Sequence, residues 1–237
     1  MTASGAARAA EVGLFGKLPT RGDFIQLGLP GSFVRPWDAW LQRAMAASQQ
    51  RMGEAWLPAF LESPVWRFAL PGGMCGASAV LGLLMPSVDR VGRYFPLTLA
   101  AVFPAGHGLP PSDIAGPWLE ACEAAGRAAL DDDIPPDELA RRLPLLSAAG
   151  VAGPAGDPRG DTGSGAWWTD GGPRVPEGRL VLATLPDATQ FAMMLDAGLA
   201  GGLGVEPDSR LETGLGAGLG PGLGPELGVD APTQEEA

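Results

Sequence analysis

The sequence predicts an α/β protein of the α+β type, with an antiparallel sheet of about five strands and helices packed around it. Three observations carry that expectation. Strand-like segments at residues 65–70, 79–85 and 95–103 follow one another at separations too short for the helical crossovers that parallel strands require. Apolar residues at helical spacing flank this meander, at Phe33, Trp37, Trp40, Leu41, Ala44 and Met45 before it and at Trp118, Leu119, Cys122 and Leu130 after it. Hydrophobic residues make up 46% of the 237, enough for a packed core without disulfide or metal staples.

Taken in order, residues 1–11 are small and polar and are expected to be disordered, with the folded domain spanning 12–197. VGLFGKLP reads as a strand ending in the loop TRGDF, with Gly16 and Pro19 as punctuation. Ser32 is a candidate N-cap for the first helix, which tolerates Pro36 only because it lies in the first turn. EAWLPAFLE continues helically until Ser63-Pro64, and the meander follows. The Gly- and Pro-rich segment 104–111 leads to a helix opened by Ser112 and to a second helix from about Pro136. GVAGPAGDPRGDTGSG, near 150–165, has little to bury and is expected to be a flexible loop within the domain. AWWT and GRLVLATL are strand-like. Asp187 with Gln190 forms a capping-box pattern ahead of Phe191, Met194 and Leu195. From 198 to 237 the Gly/Leu-rich acidic composition favours disorder.

Charge and composition exclude several functions. A formal net charge of -11 opposes binding to nucleic acid and to anionic membranes, and favours protein partners. The uncharged run 68–88 is interrupted by Pro71, Gly72, Gly73, Gly76, Gly82 and Pro86, so no membrane insertion is expected. No apolar leader segment opens the chain, and the two cysteines lack a CxxC spacing, so a reducing cytoplasm is expected. The single histidine, His107, lies in a Gly/Pro loop, no GxSxG occurs, and GLFGK does not complete a phosphate-binding loop. Asp131, Asp132 and Asp133 could offer oxygen ligands to a hard cation, but consecutive aspartates between helices are ordinarily solvated. Neither cofactor nor metal is expected, and the chain is not expected to be an enzyme.

The charged residues left to explain are Lys17, Arg21 and Asp23 in the first loop and Asp89, Arg90 and Arg93, beside Tyr94, in SVDRVGRYFPLT. Two readings stand side by side. In one, Asp89 and the arginines pair locally and fix their turns. In the other, the turns TRGD and DRVGR meet at one end of the sheet as a contact surface flanked by Tyr94 and Phe24, for which arginine and tyrosine are suited.

GLFGKLPTRGDFIQLGLP, SFVRPWDAWLQRAM, EAWL, PVWRFAL and above all LMPSVDRVGRYFPLTLA resemble the TagF/ImpM family of type VI secretion-associated proteins, and AWWT and LPDATQFAMML extend the likeness across 12–196. The resemblance implies a longin-like fold and a cytoplasmic accessory protein of Gram-negative bacteria. It implies a post-translational repressor acting by protein–protein interaction, through a forkhead-associated-domain component of the secretion system. Some relatives carry a fused PP2C-type phosphatase, for which this chain leaves no room, so any dephosphorylation is expected of another protein. Two alternatives come from other classes: a small metal-dependent hydrolase or phosphatase-like enzyme built on the aspartate run, and a structural subunit of the secretion apparatus.

Overall fold

The computed structural model describes residues 9–146 and 163–202. The expected disorder over residues 1–8, most of the 150–165 loop and the tail beyond 202 lie outside them. Ala10 is buried and donates its N–H to the Leu146 carbonyl at 3.0 Å.

One antiparallel sheet organises the described residues. Its strands are β1 (Glu11–Gly16), β2 (Ile25–Leu27), β3 (Trp66–Leu70), β4 (Val80–Met85), β5 (Leu97–Val102), β6 (Gly165–Thr169) and β7 (Gly178–Leu182), in the order β2-β1-β5-β4-β3-β6-β7. The expected meander is β3-β4-β5, in register from Trp66↔Leu84 and from Met85↔Leu97. At seven strands the sheet is larger than the five or so expected. β6 and β7 extend it beyond β3, and β2, only three residues long, is too short to show an alternating pattern.

Helices cover both faces. On one side α1 (Gly31–Met52), α2 (Trp56–Leu61) and α5 (Ala188–Leu195) bury Trp37, Trp40, Phe60 and Phe191 against Phe68 and Trp167. On the other, α3 (Ser112–Asp131) and α4 (Pro136–Arg142) bury Trp118, Leu119 and Leu139 against Leu81, Leu83 and Leu99. Enclosure on both faces explains why β4 and β5 are buried at every position, while β3 alternates, with Trp66, Phe68 and Leu70 on the α1 side. Gly82 admits the Phe68 ring, whose Cζ lies 2.6 Å from where a Cβ would stand. The α5 capping box forms as expected, Asp187 accepting from Thr189 and Gln190. Ser32 is not the N-cap of α1: the helix starts at Gly31 after Pro30, whose extended φ of -72° sets the entry without a side-chain bond.

Two connections meet at one end of this frame. β1 runs out through residues 17–24 before β2, and β4 joins β5 through residues 86–96. Because β1 pairs with β5 up to Phe15↔Thr98, both turns leave the sheet side by side. Gly16 makes that closeness possible: its φ is 136°, and a Cβ there would collide with the Pro96 carbonyl.

Candidate functional site

DRVG carries the residues of a type I turn, Asp at its first position and Gly at its fourth. The Gly92 N–H donates to the Asp89 carbonyl at 3.0 Å, the Asp89 N–H to the Arg93 carbonyl at 3.0 Å, and Gly92 takes a φ of 85°. That is a type I turn closed by a glycine bulge, continued by the Val88↔Tyr94 bridge.

Asp89 is the hub. Its side chain is fully buried, and Oδ2 accepts from Lys17 Nζ at 2.5 Å and from Arg93 Nε at 2.7 Å. Oδ1 accepts the N–H groups of Val91 at 3.0 Å and Arg93 at 2.9 Å. Burial on its own would raise the Asp89 pKa; the Lys17 bond, then the Arg93 and Val91 bonds, outweigh it and hold the carboxyl well below the usual carboxylate range. Arg93 Nη2 also donates to the Gly22 carbonyl, Arg90 N–H to the Arg21 carbonyl at 2.9 Å, and Ser87 Oγ to the Lys17 carbonyl at 2.7 Å. The two turns are therefore stitched together by charge-assisted bonds around a dry carboxylate.

This base carries a tip that faces solvent. Arg21, Asp23 and Arg90 are exposed, and among the described residues none of their side chains has a hydrogen bond or ion pair. Val91 is 64% exposed and Phe24 50%, although Phe24 is held from beneath by Phe95, 4.8 Å between ring centroids, and by Lys17 Nζ at 4.8 Å. Arg93 belongs to both layers, since its side chain is 58% exposed while bonded to Asp89.

The expected residues thus divide. Lys17, Asp89 and Arg93 form the lock; Arg21, Asp23 and Arg90 form the outward surface with Val91 and Phe24. Tyr94 does not flank that surface. It is half-buried, with its ring edge-on to Trp56 at 6.3 Å and Phe60 at 6.1 Å, on the α2 side. Sequence reasoning did not single out Ser87, whose bond to the carbonyl of Lys17 lies across 70 residues and has no local signal. An apolar Val91 between two arginines was a usable signal for the exposed tip.

Other chemistry-bearing residues stand apart. Among the described residues, no three His, Cys, Asp or Glu side chains group closely enough for a metal ion. Asp131 ends α3, Asp132 caps it and Asp133 has a φ of 52°, all three exposed. Cys75 and Cys122 are buried, and burial pushes both thiols up to about 12. A cleft of about 430 Å³ lies across the sheet from the turns, over Ala69, Ala166 and Trp168, and neither histidine nor cysteine lines it. No helix of the described residues is long and apolar enough to cross a membrane.

A family model described as the TagF N-terminal domain, type VI secretion system-associated, matches residues 13–146, a span that includes both turns. The crystal structure of PA0076 from Pseudomonas aeruginosa PAO1 is similar in fold, with a TM-score of 0.67 and 35% sequence identity over 90% of this chain and 99% of that one. No curated protein matches the chain.

Proposed function

The chain belongs to the TagF family of type VI secretion-associated proteins, and from that premise we propose that it restrains the secretion system after translation. It acts in the cytoplasm by binding a forkhead-associated-domain component, with no catalytic step of its own. The observation that supports this reading is the division of the paired turns into a locked base and a free tip. Rigid presentation lowers the entropic cost of binding, and exposed arginines beside apolar side chains are the composition of an interface centre.

Val91→Asp separates recognition from folding, because the Val91 side chain makes no hydrogen bond and its N–H bond to Asp89 is retained. Purified variant is expected to melt with the wild type, to bind the forkhead-associated component about tenfold more weakly or worse, and to lose repression of secretion when overproduced. Equal binding by the variant would move the contact elsewhere. Failure of the wild-type chain to bind would contradict the reading itself.

A further inference from the structure

We infer that the surface received by this site is acidic: a segment of the forkhead-associated component with clustered aspartates or glutamates around an apolar side chain. This rests on the proposed binding to that component and adds the chemistry of what is bound.

The two turns carry Lys17, Arg21, Arg90 and Arg93 against Asp23 and Asp89, an excess of two positive charges on a chain whose formal net charge is -11. The two turns therefore have the opposite sign to the molecule as a whole. The excess is also available. Lys17 neutralises the buried Asp89, and Arg93 divides itself between that carboxylate and solvent, so Arg21 and Arg90 are left unspent at the surface. Guanidinium groups shed water more readily than an ammonium and present paired N–H donors that match carboxylates.

Shape restricts the partner further. Val91 and Phe24 stand among the arginines, so an apolar side chain ringed by acids completes the contact. A groove of about 300 Å³ runs beside them along β2, between Arg21–Leu27 and the start of α4. Asp23 and Asp137 both line it and would repel an acidic residue placed beside them, which restricts the register of the approaching segment. The net negative charge of the chain as a whole disfavours approach of an acidic partner by most other orientations.

Isothermal titration of the forkhead-associated component into the full chain tests this with three proteins at ~50 and ~300 mM NaCl, on either side of a Debye length of about 10 Å. Arg21→Glu with Arg90→Glu is expected to weaken binding about a hundredfold at low salt, with the gap to wild type narrowing at high salt. Asp23→Lys is expected to tighten it about threefold or more. None of these side chains is hydrogen-bonded, so all three proteins are expected to melt together. Wild-type binding that ignores the reversals, or that Asp23→Lys weakens, would overturn the acidic partner and leave the regulator reading standing. Absence of wild-type binding would overturn both.

Discussion

Trp37→Ala is expected to cost about 3–5 kcal/mol of folding stability, a large share of what a domain of this kind possesses. The indole is fully buried at the centre of the α1 face, with ring centroids of Phe68 and Trp40 at 4.7 Å, Phe33 at 5.3 Å and Trp167 stacked at 6.0 Å. Those neighbours come from α1, β3 and β6, so none can relax into the void without moving an element. The substitution also strands the Thr98 hydroxyl, which accepts from Trp37 Nε1 at 2.9 Å inside the sheet. Trp37→Phe refills most of the volume and is expected to cost about 1–2 kcal/mol, the lost bond and the smaller ring together. Urea unfolding followed by circular dichroism checks both; a loss below about 1 kcal/mol for Trp37→Ala would show that the cluster is not the keystone of this face.

Asp89→Asn is expected to lower the melting temperature by on the order of 10 °C, because it leaves the Lys17 ammonium buried without a counter-charge and weakens both Arg93 bonds. Combining it with Lys17→Met is expected to recover much of that loss, since the stranded charge is then removed along with its partner. A single variant that melts with the wild type would mean that the carboxylate does not lock the turns. The same hub has a pH signature. The folded pKa of Asp89 is depressed relative to an unfolded value of about 3.9, so its contribution is complete above that value and is lost as pH falls below about 4. Urea midpoints are expected to fall more steeply with acid in the wild type than in Asp89→Asn.

Two local signals in the sequence held, although Ser32 did not cap α1. Asp at the head of DRVG and Gly at its end specify the turn whatever surrounds it, and Asp187 with Gln190 specifies the α5 start. The meander was legible because short separations exclude crossovers. What was not legible depends on distance along the chain. Lys17 and Asp89 are 72 residues apart, and only the pairing of β1 with β5 brings them together. Whether an arginine locks or projects could not be read either: Arg90 and Arg93 share one turn, but Arg93 reaches Asp89 within it and the Gly22 carbonyl of the neighbouring turn, while the Arg90 side chain faces solvent. Tyr94, expected beside the contact surface, instead packs its ring against Trp56 and Phe60, which come from α2, more than 30 residues earlier in the chain.

Amide hydrogen exchange on the full chain, alone and mixed with the forkhead-associated component proposed as its partner, tests the central claim most directly. Binding at the tip is expected to slow exchange in residues 21–24 and 90–93, the solvent-facing parts of the two turns, and to leave the cleft floor at 164–169 unchanged. Protection confined to that cleft, with the turns exchanging as they do in the free protein, would contradict it.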